Sequence, residues 1–208
     1  MKGLLLKDWY MMKKYCRSYL LISVCFVILS LVSEGNMFFV FYPCLLCGMI
    51  PVNLLGYDER SRWTEYAGAL PCTRAQIVSA KYLIGLFAQI AVLTVNSIAQ
   101  GIKLTVDGSF VLTEFLVLVM MMLIMATVTS SLTLPFVFKL GVEKGRSAYY
   151  VTVGVVCAGS IIASNLFSGG LHTKIELNAV LPLICLVGIG IYALSWYLSI
   201  VFYKKREL

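Results

Sequence analysis

The side chains able to do chemistry are few in this chain, and most lie where chemistry is excluded. One histidine, His172, occurs in 208 residues, so neither a histidine-based triad nor an H-E-x-x-H zinc site can be assembled. Cys44 and Cys47 have the C-x-x-C spacing of metal ligands. They fall in a long apolar stretch without a second ligand pair, where small apolar packing is the better reading. Of the seven cysteines, Cys16 and Cys72 are expected to face a reducing cytoplasm, so no disulfide framework is expected. No G-x-x-x-x-G-K-[ST] motif occurs, so the chain has no P-loop of its own. Paired acids and histidines are missing from the apolar stretches, which disfavours an intramembrane peptidase. The sequence therefore predicts no catalytic residue, no metal site and no cofactor in this chain: not an enzyme.

What remains is polarity inside apolar surroundings. Gln89, Asn96 and Gln100 recur at i, i+7 and i+11 on one helical face, with Lys103 just beyond. Such a stripe either lines a path for an amphipathic cargo or supplies hydrogen bonds between helices, worth ~0.6–2 kcal/mol each. Thr127, Thr129, Ser130, Ser131 and Thr133 precede Pro135, which frees the carbonyl of Ser131 and predicts a kink. Gly154 and Ala158, and Gly188 and Gly190, allow close helix packing.

The elements that must hold these residues are membrane spans. The chain is 60% hydrophobic and 13% charged, with a mean hydropathy of +0.90, against roughly 25% charged in soluble domains. Six apolar stretches, 18–33, 35–56, 82–102, 115–138, 147–171 and 177–203, read as spans in one transmembrane domain covering 1–208. The first is short, so Arg17 and Glu34 snorkel at its ends. Residues 1–17 form a basic amphipathic helix, with Lys2, Lys7, Lys13, Lys14 and Arg17 on one arc. Leu4, Leu5, Trp9, Met11, Met12 and Tyr15 occupy the other, and Asp8 is its exception. That pattern fits an anionic inner leaflet better than nucleic acid. Of 17 Lys and Arg, 15 fall in the N-terminal arm, Tyr57–Lys81, Lys139–Arg146 and the tail, and only Lys103 and Lys174 on the other side. Both termini and Tyr57–Lys81 are therefore expected in the cytoplasm.

Tyr57–Lys81 holds seven of the 27 charges, and each would cost ~2.5–3.5 kcal/mol at the bilayer centre. Read as one helix, Tyr57–Leu70 puts Glu59, Trp63, Tyr66, Ala67 and Leu70 on one face and Asp58, Arg62 and Glu65 on another. Pro71 ends it and Thr73 caps the next helix. An amphipathic helix tied between two spans suits a lever; one that merely lies on headgroups is the plainer alternative.

These residues carry a resemblance. MKGLLLKDW at the start, DERSRW and ALPCTRAQIVSAKYL in the centre, and LTLPFVFKLGVEKGR at Leu132–Arg146 resemble, in order and topology, the permease subunits of type 2 ABC exporters. The similarity is narrowest to a small Firmicutes branch that includes the membrane subunits of the phenol-soluble modulin exporter. The resemblance implies an all-α integral membrane protein with six transmembrane helices, an N-terminal interfacial helix and a short coupling helix between spans two and three. It implies docking on a separately encoded ABC ATPase in two copies, which carries the ATP and Mg. Asp58, Glu59, Arg60, Trp63, Glu65 and Tyr66 within the coupling segment 57–74 would be the docking helix, with Trp63 its buried anchor. Leu70, Pro71, Thr73, Arg74 and Lys81 would be its exit, Cys72 standing where a branched or methyl-bearing residue is commoner. It further implies a second permease, identical or homologous, with the first and fifth spans near the dimer axis, and export of amphipathic peptides from a bacterial cell. The alternative class is a non-transporting membrane protein, such as a bacteriocin immunity or scaffold protein.

Overall fold

A computed structural model describes residues 2–33, 37–67, 69, 72–168 and 177–205. Most of those residues are helical, and no strand occurs among them. The helices are α1 (Lys2–Tyr15), α2 (Arg17–Val32), α3 (Met37–Arg60), α4 (Trp63–Ala67), α5 (Arg74–Val106), α6 (Leu112–Leu140), α7 (Val142–Ser168) and α8 (Leu177–Lys205). Leu70, Pro71, His172, Lys174 and the Glu34-Gly35-Asn36 turn lie outside the described residues.

Length and composition mark four helices as able to cross a membrane: α3, α5, α6 and the Cys185–Lys204 part of α8. A fifth is added if α1 and α2, bent by 65° at Cys16, are taken as one span. α2 alone has 16 residues, about 24 Å of helix against a hydrocarbon core of ~30 Å. α5 has 33 residues, about 50 Å, so it outreaches the core. Its first turn is fixed by a capping box: Gln76 N donates to Thr73 Oγ1 at 3.3 Å, and Thr73 N donates to Gln76 Oε1 at 3.2 Å. Thr73 is the cap the sequence indicated.

α3 is the central helix, buried through most of its length and packed on α2, α5, α6 and α7. α8 lies along α6 and α5. Between them Tyr82 is fully buried, its ring stacked on Trp196 at 5.5 Å and its hydroxyl 2.9 Å from Ser195 Oγ and 2.7 Å from Ser199 Oγ. Proline in α6 leaves a carbonyl without its helical donor, and α8 supplies one. Ser195 Oγ donates to Ser131 O at 2.7 Å. α6 runs unbroken through Pro135, so proline does not end the helix as it would in an unsupported segment.

The turn between α6 and α7 differs from expectation. Lys139–Arg146 reads as a charged loop, yet the two helices are separated by Gly141 alone. Gly141 takes φ +86°, a left-handed conformation costly for residues with a Cβ. Gly145 then meets α6 so closely that a Cβ there would invade the Val137 side chain and lie 3.0 Å from Val137 Cα. Two glycines replace a loop.

Candidate functional site

The expected helix Tyr57–Leu70 does not exist as one piece. α3 continues to Arg60, the chain breaks at Ser61 and Arg62, and α4 starts at Trp63. Arg62 holds φ +53°, and the break is closed by Ser61 Oγ donating to Asp58 O at 3.2 Å. The break decides what Lys7 can reach. On a straight helix Asp58 and Trp63 would point about 140° apart. With the break, Lys7 Nζ reaches both, at 2.7 Å from Asp58 Oδ1 and 3.9 Å from the Trp63 ring centroid.

Lys7 belongs to a buried group of two lysines and two aspartates. Lys81 Nζ stands 2.6 Å from Asp8 Oδ1 and 2.6 Å from Asp58 Oδ2, and Lys7 Nζ is also 3.6 Å from Asp8. Asp8, Asp58 and Lys81 are 2%, 3% and 1% exposed, so these charges have exchanged water for one another. Burial, followed by the Lys81 charge, pulls Lys7 below the ordinary lysine value, while Asp58 pulls it back up. The group joins α1, the end of α3 and the start of α5. Beside it, Cys16 is fully buried at the α1–α2 bend, and burial pushes its thiol up to about 11.

This geometry reassigns several residues expected to face a partner. Asp58 is not a rim charge, since its carboxylate is consumed inside the chain. Glu59 finds its partner in α7: Val142 N donates to Glu59 Oε2 at 3.2 Å, placing a carboxylate at that helix's positive end. Trp63 is half-buried against the α1–α5–α8 core, and its Nε1 has no partner among the described residues. Arg74 Nη1 donates to Lys204 O at 2.9 Å, tying the start of α5 to the end of α8. The outward residues are Arg60, Arg62, Glu65 and Tyr66, the last 62% exposed. Asp8 and Lys7 are what the sequence reading missed, Asp8 pairing with Lys81 and Lys7 with Asp58. The signal was present: an acid on the apolar arc of α1, and a lysine at the edge of a span, each needing an opposite charge.

The stripe on α5 is engaged between helices. Gln89 Nε2 donates to Ala126 O at 3.0 Å and to Ser130 Oγ. Asn96 Nδ2 donates to Val40 O at 2.6 Å, and Gln100 Nε2 to Ser30 Oγ at 2.8 Å. All three are buried, and Lys103 Nζ donates to Ser30 O at 2.8 Å. The hydroxyls of Thr127, Thr129, Ser131 and Thr133 bond back to α6 carbonyls. A Cβ at Gly154 would meet nothing within 4 Å among the described residues, while Gly188 faces Thr127. Cys44 and Cys47 are buried, and among the described residues no cluster could hold a metal ion.

Long apolar helices around a charged, internally paired elbow define a multi-pass helical protein of the cell membrane. The family model described as ABC-2 family transporter protein matches residues 3–204, and the chain belongs to that family as a permease subunit of an ABC transporter. No curated protein and no solved structure matches it.

Proposed function

We propose that the chain is the membrane half of a bacterial ABC exporter, driven by two copies of a separate ATPase that bind and hydrolyse ATP with Mg. Six spans are reached by adding α2 and α7 to the four apolar helices, with both termini in the cytoplasm. The observation that carries the reading is the elbow at Arg60–Tyr66. Its outer side offers Arg60, Arg62, Glu65 and Tyr66, while its inner side is fastened by Asp58 to α1 and α5 and by Glu59 to α7. A push on such an elbow is delivered to four helices together. ATP-driven closure of the ATPase pair would therefore turn these helices as a unit. A cavity between this permease and a second one, identical or homologous, would switch from inward to outward. With Gln89, Asn96 and Gln100 engaged between helices, the path for an amphipathic peptide lies between the two permeases. The exposed Gly154 and Ala158 of α7 suit close packing at that junction.

The test is retention of the ATPase by tagged permease. Tyr66, rather than Trp63, is the accessible aromatic anchor, so Tyr66→Ala should weaken retention by roughly thirtyfold, the effect of losing an anchor worth ~2 kcal/mol. Glu65→Ala should cost less, as a rim charge. Undiminished retention in Tyr66→Ala and in Tyr66→Ala/Glu65→Ala would remove the docking assignment and favour a non-transporting membrane protein.

A further inference from the structure

Helix α1 does not seal against α5 along its whole length. A shallow groove, broadly open to its surroundings, lies between them, lined by Lys2, Leu5, Leu6, Trp9 and Phe87. Trp9 and Phe87 meet edge to face at 5.2 Å and form its floor. Four walls are apolar and one is cationic, and Lys13 Nζ stands 5.1 Å from the Trp9 ring at the other end. Phe87 lies about 9 Å further along α5 than Lys81, the last charge before the uncharged run to Lys103. The groove thus starts at the depth of headgroups and descends toward acyl chains.

We propose that this groove is a binding site for one anionic phospholipid of the inner leaflet, its phosphate on Lys2 and an acyl chain against Leu5, Leu6, Trp9 and Phe87. The proposal rests on reading α1 as an interfacial helix. Charge complementarity selects the occupant. A neutral apolar partner leaves Lys2 unused, and a soluble anion leaves the four apolar walls in water. The site also has a consequence for the elbow. α1 carries Asp8 about one turn beyond Leu5, so lipid seated in the groove bears on the helix that supplies the buried charge group.

The experiment uses the full-length permease with Trp63→Phe and Trp196→Phe, so that Trp9 is the single emitter. The protein is reconstituted in phosphatidylcholine vesicles, and acyl-chain doxyl-labelled phosphatidylglycerol or labelled phosphatidylcholine is titrated in. Labelled phosphatidylglycerol should quench Trp9 saturably, with a preference of about fivefold over the choline lipid, the size of one lysine–anionic lipid contact. Lys2→Gln should abolish that preference, whereas Lys14→Gln, an equal loss of charge elsewhere on α1, should leave it. Leu6→Asn, at a side chain 56% exposed within the chain, should weaken quenching by both lipids without disturbing the fold. Equal quenching by the two lipids overturns the site while leaving α1 at the interface. So does an equal effect of Lys2→Gln and Lys14→Gln, which would mean diffuse attraction only. Quenching that appears only when the protein is diluted in lipid overturns it in favour of a second copy. Absence of quenching by either lipid overturns both the site and the interfacial placement of α1.

Discussion

Lys81 stands between Asp8 and Asp58 at 2.6 Å from each, so deleting any member leaves an uncompensated charge in a dry place. Breaking a buried pair in this way costs ~3–5 kcal/mol, whereas replacing both partners by apolar groups of similar volume is close to neutral. We predict that Asp8→Leu and Lys81→Met will each lower the unfolding temperature of the purified permease, and that the double variant will be more stable than either. Single variants as stable as the parent would contradict the burial of these charges. Cys16 tells a parallel story. Its full burial, with a thiol pushed up to about 11, predicts no reaction with maleimide at neutral pH, even in permeabilised cells. Cys72 is only partly buried. In a variant keeping Cys72 alone, an impermeant maleimide should label permeabilised cells and spare intact ones. Labelling of intact cells would reverse the orientation of the chain.

At the scale of elements, two contacts invite double-mutant cycles. Ser195 Oγ serves the Ser131 carbonyl that Pro135 leaves without a helical donor. Ser195→Ala should therefore cost ~1–3 kcal/mol. It should cost less in a Pro135→Ala background, where the restored N–H can take Ser131 O. Thermal unfolding of the four proteins measures the difference, and strict additivity would show that the serine and proline are unrelated. Gly145→Ala should push α7 away from Val137, with an overpacking cost of ~1–3 kcal/mol. Val137→Ala should recover much of that loss when combined with it. Local signals of this kind were legible in part. Thr73 announced its cap and Pro135 its orphaned carbonyl, because both effects are complete within one turn of helix. The donor in α8 was not legible, since it comes from 64 residues away and many serines could have supplied it. The break at Arg62 was hidden for the same reason: the contacts it allows are made to Lys7 of another helix, and nothing between Tyr57 and Ala67 forbids a continuous helix.

For the whole molecule, hydropathy and charge placement gave the helical membrane architecture, since long apolar runs and clustered lysines act through the solvent rather than through partners. Pairings were less legible. The stripe at Gln89, Asn96 and Gln100 was visible as a pattern, but the choice between a cargo path and helix bonding needed the positions of Ala126, Val40 and Ser30.

The link from Arg74 to the end of α8 has one more consequence. With Lys81 holding α1 and α3, and Glu59 holding α7, it completes a belt of polar fastenings that joins five helices at one end of the bundle. Toward the opposite end, described polar ties hold α5 to its neighbours, from Asn96 to Val40 of α3 and from Gln100 and Lys103 to the end of α2. Such a body resembles a pair of tweezers gripped at the handle: strain applied at the belt is expressed as splaying at the tips. We predict that spin labels at exposed positions near Val106 of α5 and Leu112 of α6 in the two permeases of a complex will change separation on nucleotide binding. Labels within one permease at Arg60 and Lys144 should keep theirs, and a larger change there would place the hinge at the belt instead.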